Sequence, residues 1–540
     1  MRVLIFHGYL LSGTGSNVYN AKLAEALTRA GHEVHLVCQE RHPERLPFVD
    51  AVGQWEEAGL RVHTLREPVR CTVYRPDVGP ILPVYVPDRY EGIEARPFPD
   101  CSEGELALYR ERNVAAVREV LRRAAPEAGL ANHLIMGPQI LARALDGAGV
   151  PYAVKVHGSA LEYTVKPHPE RFLPVAREGL APARAVLVGS RHTAESLWAV
   201  MDDPALAERT RLGPPGVDVA EFVPRDPEQA AAGLRALARR LIRSGGPRTG
   251  SPPPPRPPGA PSPAEAGEGA SAFARDVGEV ATALERLDPE RDRLVAFVGK
   301  TIVSKGVDLL VGAWPLVLAR VPAARLVVVG FGAYRETLNA LRDALASGDL
   351  EAVRAIAERG RALEGGPPGA LHYLLGFLDG LNGADRDRYL EAARALGEQV
   401  VLVGRLEHDE LAELLPACEA EVVPSTFPEA FGMVAVEAAA CGVLPISADH
   451  SGLAEVTRVL ADSVPPEAAP WLSFPLGDRA VGAIADRVVA WLEAPAGLRQ
   501  ATRQVLVETA RRRFSWEGVA QGVLAAAQGR LDELARPLPG

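Results

Sequence analysis

Cysteine is scarce: five in 540 residues, at Cys38, Cys71, Cys101, Cys418 and Cys441. The number is odd and no two form a Cys-x-x-Cys pair, so neither a disulfide framework nor a zinc site is expected. All five read as buried thiols in a reducing compartment. Positive charge is also short. Lys and Arg total 59 against 69 Asp and Glu, a net charge of -10. That balance gives nucleic-acid binding no overall support. No apolar run reaches the roughly 18 residues of a membrane-spanning helix, so none is expected. The opening "MRVLIFHGYLL" is broken by His7 and Gly8, and no small-residue cleavage site follows it. It therefore reads as a strand and not as a signal peptide. The cytoplasm is the expected location, with peripheral contact at a membrane left open.

What is present is ordinary globular material, 47% hydrophobic and 24% charged. The chain is longer than one core fills, so two or more domains are expected. "RVLIF" (2–6) reads as a buried strand. A glycine-bearing loop follows, then Leu23, Ala26, Leu27 and Ala30 at helical spacing, with Gly31 ending the helix. "HEVHLVC" (32–38) is the next strand, and strand–helix–strand implies a parallel sheet. The pattern resumes at 152–158 and 184–190. A second series begins at 293–300 and continues at 324–332, 399–406, 420–425 and 443–449. Residues 66–106, rich in Pro, Tyr and Arg, read as a long loop. Pro247–Ala272 is of low complexity and cannot bury a core. About 226–288 is read as an insertion with little fixed structure, apart from a helix before Ser244. Residues 345–395 read as a polar helical insertion.

The expected fold class is α/β: two Rossmann-like doubly wound domains with an interdomain cleft. The expected domains are 1–222, a proline-rich linker 223–290, 291–512, and a C-terminal helix 513–540. In such sheets ligands bind at the carboxyl ends of strands.

Chemistry-bearing residues cluster at those ends. "PEAFGMVAVEAAACG" (428–442) carries Glu429 and Glu437 around the start of a helix. A helix N-terminus exposes unpaired N–H groups and attracts anions, phosphate above all. Carboxylates beside it must grip something else on the same ligand. A nucleotide sugar has that shape, a diphosphate between two hydroxyl-rich rings. "GKTIVSKG" (299–306) places Lys300 and Lys305 after a strand, where they can neutralise a diphosphate. It lacks the order of a Walker loop. Gly13 and Gly15 form half of a dinucleotide fingerprint, but Val18 stands at the third glycine position and the tight turn is absent. A loop approaching a phosphate or sugar fits better. His157 follows a strand and precedes Gly158. Asp385 and Asp387 read as a solvated face. No metal and no cofactor is expected.

These pieces resemble the retaining glycosyltransferases of family 4, which have the GT-B fold. The resemblance rests on "PEAFGMVAVEAAACG" with "GLAEV" after it, "VGK…SKG", the opening "GTGSNVYNAKLAEALTRAGHEVHLV" and "GPPGVDVAEFVP". It implies that Glu429 contacts the donor sugar's hydroxyls and Glu437 the nucleotide ribose. Backbone of Ala430, Phe431, Gly432, Met433 and Val434 then meets sugar and diphosphate. Lys305 matches the family's diphosphate lysine, and Lys300 stands where an arginine is usual. Arg405 and Leu406 match the segment that lines the nucleobase, and His157 orients the sugar. The implied donor is UDP-linked, and the acceptor is unknown. A nucleotide-sugar epimerase and a catalytically silent binding protein of the same fold are the alternatives.

The proline-rich segment has no apolar periodicity. Deleting Pro247–Ala272 is expected to leave nucleotide binding unchanged in calorimetric titration.

Overall fold

The computed structural model describes residues 1–13, 15–56, 59–85, 94–244 and 275–537; Thr14 and the whole of Pro247–Ala272 lie outside them. The chain divides into two compact units, Met1–Asp218 with Arg513–Gly540, and Val219–Arg512.

Among the described residues, eleven strands belong to the first unit. They are β1 (Arg2–Phe6), β2 (Glu33–Val37), β3 (Ala51–Glu56), β4 (Gly59–Thr64), β5 (Cys71–Arg75), β6 (Ile81–Val84), β7 (Glu94–Pro97), β8 (Ala128–Asn132), β9 (Tyr152–Lys155), β10 (Ala185–Val188) and β11 (Thr210–Leu212). Nine of them form one sheet in the order β11-β10-β9-β8-β1-β2-β5-β3-β4. Its pairs are parallel except the β3–β4 hairpin. β1, β8 and β10 are buried on both faces, as helix-covered parallel strands are. One face packs around Phe6, Phe98, Val117 and Phe172. The other packs around Leu23, Leu27, Val34 and the C-terminal helix Trp516–Ala527. The rings of Tyr19 and Trp516 meet edge to face at 5.5 Å. Ser515 caps that last helix, its hydroxyl accepting from the Gly518 N–H.

The second unit adds β12 (Arg293–Val298), β13 (Ala324–Val329), β14 (Val400–Gly404), β15 (Ala420–Val423), β16 (Leu444–Ala448) and β17 (Ser473–Phe474). They form one parallel sheet in the order β14-β13-β12-β15-β16-β17. Both units are Rossmann-like. In each, the strand order reverses at one place, between β1 and β8 in the first and between β12 and β15 in the second. A crevice opens at such a reversal, outside the carboxyl ends of the strands.

Three expectations change. Residues 66–106 are not one long loop: they contain β5, β6 and β7 and the start of the helix Glu103–Ala124, which opens with a Ser102/Glu105 capping box. The strands are short and flanked by prolines, which hid them. The β3–β4 hairpin and β8 also escape the sequence reading. Finally, the stretch read as a linker ends in packed helices, Pro227–Ser244 and Val277–Glu285. The first is the helix expected before Ser244, and it packs through a helical stripe: Ala230, Ala231, Leu234, Leu237, Ala238 and Leu241 are all buried.

One backbone crossing fixes the reversal in the second unit. Gly306 has φ +66°, and a Cβ there would lie 2.0 Å from the Pro424 carbonyl oxygen. Gly306→Ala is expected to cost at least about 1–2 kcal/mol from the left-handed backbone alone, and more from the clash. Gly482→Ala, in the helix Ala480–Glu493 with nothing within 4 Å of the new Cβ, should instead stabilise by about 0.5–1 kcal/mol. Urea unfolding of the two variants checks the contrast.

Candidate active site

In the second unit the loop after β12 meets the loop after β15. The Thr426 N–H donates to Ser304 O at 2.9 Å, and the Ser425 hydroxyl lies 3.1 Å from the same oxygen. This crossing delivers Lys305 to Glu429, and the two form an ion pair through Nζ and Oε1. The Ser425 hydroxyl donates to the same Oε1 at 2.7 Å. Both partners keep some exposure, 32% for Lys305 and 21% for Glu429, so the pair is reachable by a ligand.

The backbone of the glutamate block is held from behind. The Glu429 N–H donates to Ser451 Oγ at 2.8 Å, and that hydroxyl lies 3.0 Å from His450 Nδ1. His450 Nε2 lies 2.7 Å from the Ser425 carbonyl. A carbonyl only accepts, so Nε2 carries the proton and Nδ1 accepts from Ser451. The relay locks Ser425 and Glu429 into one frame. Gly432 precedes the helix Met433–Ala440 at φ +115°, and a Cβ there would meet Leu453 at 2.5 Å. A glycine is therefore required to turn the chain into that helix. Ala430 is exposed, Phe431 buried, and Met433 and Val434 partly exposed.

Glu437 is brought elsewhere. It is 4% exposed, with His408 Nε2 3.7 Å from its Oε1. The Phe222 ring stands edge-on to His408 at 4.8 Å. Behind it lies Glu421, fully buried on β15, whose carboxyl is pushed well above the usual range by burial and then by the charge of Glu437. Lys300 and Arg405 flank the ring of Phe331, their charged groups 5.9 and 5.7 Å from its centroid. Arg405 also lies 3.0 Å from Glu407. Leu406 follows β14 and is partly buried. Sequence reasoning missed Ser425, Phe331, His450 and Ser451; a Ser two residues past a strand end was the available signal for the first.

The first unit carries its own polar floor at the β1/β8 reversal. Gly13, at φ +92°, and Gly15 are exposed at the start of the helix Gly15–Arg29. His157 Nε2 donates to Asn132 Oδ1 at 2.9 Å, and Asn132 donates to Asn20 Oδ1 at 2.7 Å. Asn20 donates to His7 Nδ1 at 3.0 Å, and His7 Nε2 donates to the Leu10 carbonyl at 3.0 Å. Every donor in this chain points the same way. Between the two imidazoles stands His133, its ring centroid 4.8 Å from that of His157 and 5.7 Å from that of His7. Neither His133 nitrogen finds a protein partner. Burial lowers His7 to about 4. Burial and neighbouring positive charge hold His133 and His157 well below the ordinary imidazole value. The imidazoles are therefore neutral at neutral pH, and His157, with Nε2–H committed to Asn132, presents Nδ1 as an acceptor.

Asp385 and Asp387 stay on the exposed helix Gly383–Ala393, with Asp385 paired to Arg388 at 2.5 Å. Among the described residues, no group of three or more His, Cys, Asp or Glu could hold a metal ion, and no helix is long and apolar enough to cross a membrane.

Lys155, beside His157, is fully buried with no carboxylate. Its Nζ donates to Gly213 O at 2.6 Å, and burial lowers its pKa to about 7 from 10.5. Between those values the unfolded chain holds a proton that the folded one lacks, so wild-type stability rises with pH. The penalty for burying the charge is fully present below about pH 7 and relieved toward 10.5. The stability of Lys155→Met relative to wild type is therefore expected to fall as pH rises through that window. Urea unfolding at several pH values measures the slope.

Residues 14–216 match the family described as "Glycosyl transferase 4-like domain", and 373–462 match "Glycosyl transferases group 1". The chain is similar to D-inositol 3-phosphate glycosyltransferase of Segniliparus rotundus, 30% identical over 45% of this chain and 41% of that protein. A protein of that name from Salinispora tropica is 25% identical over 84% of this chain and 72% of its own length. The chain thus spans less than half of the first of these relatives. Among solved structures, sucrose-phosphate synthase of Thermosynechococcus elongatus superposes with TM-score 0.55 at 18% identity, covering 98% of this chain and 99% of the other. Anabaena HepE in complex with UDP and glucose gives TM-score 0.53 at 15% identity, covering 98% and 99%. The chain has the GT-B fold, and each unit carries a glycosyltransferase family signature.

Proposed function

We propose that the protein transfers a hexose from a nucleotide sugar, UDP-linked, to an acceptor hydroxyl with retention at the anomeric carbon. The observation that carries this reading is the Lys305–Glu429 pair at the β12/β15 reversal, beside the N-terminus of the helix Met433–Ala440. Lys305, Lys300 and the helix N–H groups take the diphosphate and the charge that grows on it as the sugar leaves. Glu429, freed in part from Lys305, accepts from the sugar's hydroxyls, with Ser425 and Ser451 holding it in place. Glu437, on the far side of the same helix start, meets the ribose. Arg405 and Leu406 line the base. A leaving-phosphate oxygen removes the acceptor proton on the face from which the sugar departs, which preserves the anomeric configuration. Gly13, Gly15 and the Nδ1 of His157 serve the first unit's share of ligand binding. Further support comes from HepE, solved with UDP and with UDP-glucose. The inositol-phosphate and sucrose-phosphate relatives leave the acceptor of this chain open.

Loss of the two glutamates should differ. Charged hydrogen bonds contribute about 1.5–3 kcal/mol against about 1 for neutral ones. Glu429→Gln is therefore expected to lower transfer by about tenfold or more, near 1.4 kcal/mol per decade, while UDP alone still binds. Glu437→Gln should weaken UDP and UDP-sugar alike, because both contain the ribose. Calorimetric titration of each variant with both ligands decides. Equal losses for both ligands in both variants would mean that the glutamates only brace the helix.

A further inference from the structure

The second unit has another concave surface, at the amino-terminal ends of β15 and β16. Cys418 precedes β15 and Cys441 and Gly442 precede β16, and all three line a groove of about 680 Å³. Strands of four and five residues separate it from Ser425 and His450, a span of about 13–17 Å at about 3.3 Å per residue. The groove is neither the nucleotide-sugar site nor continuous with it through the sheet.

Its charge is opposite to that of the whole chain. Arg225, Arg503, Arg511 and Arg512 line it, against one carboxylate, Glu508, on a protein of net charge -10. Arg225 is satisfied by a two-pronged pairing with Glu413. Arg503 is not. It shares Glu419 with Arg293 and Arg499, at 2.6, 2.8 and 3.2 Å, so three guanidinium groups surround a single carboxylate. The Nε–H groups of Arg499 and Arg503 are buried without a protein acceptor. Three cations on one anion leave an excess of positive charge, and an unpaired buried donor costs about 1–3 kcal/mol. Arg511 and Arg512 are exposed and make no ion pair among the described residues. Val507 and Pro416 give the groove an apolar floor. Guanidinium groups match the oxygens of a phosphate in pairs, and an apolar floor adds affinity for a ring or chain attached to it.

We propose that this groove is a second ligand site, which binds an organic phosphate monoester, its phosphate on Arg511, Arg512 and Arg503 and its apolar part on Val507 and Pro416. The site lies apart from the transfer chemistry, so it stands whether or not the proposed donor is correct.

Phenyl phosphate and inorganic phosphate serve as probes, titrated calorimetrically against the full chain. Phenyl phosphate is expected to bind about tenfold or more tightly than inorganic phosphate. The exposed pair Arg511→Glu with Arg512→Glu should lower its affinity by at least about tenfold, with the ligand-free melting temperature unchanged. Arg511→Gln with Arg512→Gln should give an intermediate loss. Lys305→Ala, beyond the carboxyl end of β12, should bind phenyl phosphate as wild type does. Co-sedimentation with phosphatidylcholine vesicles containing phosphatidic acid identifies the source. Vesicle binding that the Arg511/Arg512 variants lose assigns a lipid headgroup. Phenyl phosphate binding without vesicle binding assigns a free metabolite. No binding of phenyl phosphate at millimolar concentration overturns the site. So does binding that survives the Arg511/Arg512 variants and disappears in Lys305→Ala.

Discussion

The approach of one backbone strand of loop to another, Gly306 against Pro424, is the constraint on which the second unit's chemistry rests. No side chain can stand between them. Because the loops touch backbone to backbone, the Thr426 N–H reaches Ser304, and Lys305 and Glu429 are left facing each other across a shared edge. The ion pair is a consequence of that contact and not its cause. Partly exposed ion pairs hold little by themselves. This one leaves a cation and an anion side by side at a partly exposed edge.

The two units solve the same geometric problem with different electrostatics. At the β12/β15 reversal the polar groups are charged and partly wet. At the β1/β8 reversal they are neutral amides and imidazoles, buried and linked in one direction from His157 to the Leu10 carbonyl. A neutral relay avoids the cost of burying charge, and the fixed direction sets which nitrogen of each ring is bare. Lys155 is the exception, a buried amine with only a carbonyl to hold. It sits among rings whose own basicity its charge would depress.

Much of this was legible beforehand where a local rule governs. The strands β1, β12, β13 and β15 are buried on both faces and so announce themselves as apolar runs. Glu429 and Gly432 could be read within the loop after β15, and Lys300 and Lys305 within the loop after β12, because each set lies in one short stretch. What escaped depends on contacts distant in sequence. Ser425 acquires meaning only when Ser304 arrives beside it, and His450 only when it reaches back to the Ser425 carbonyl. His133 and Asn132 end a strand that the periodicity did not reveal, since "AGLAN" has too few bulky residues to stand out. The helix Pro227–Ser244 was legible from its alanine-rich stretch, whereas Val277–Glu285, just beyond the low-complexity sequence, was not.

The helix Trp516–Ala527 completes the core of the first unit, although 294 residues of the second unit, Val219–Arg512, come between it and Asp218. The first unit is thus a discontinuous domain with the second inserted into it. During synthesis, a ribosome that has made β1 to β11 has not yet made the helix that covers Leu23, Leu27 and Tyr19. That apolar face stays bare while the second unit emerges and folds as a continuous segment. The core of the first unit therefore depends on a stretch translated after the whole of the second unit, and a nascent chain arrested in between leaves that core unsealed.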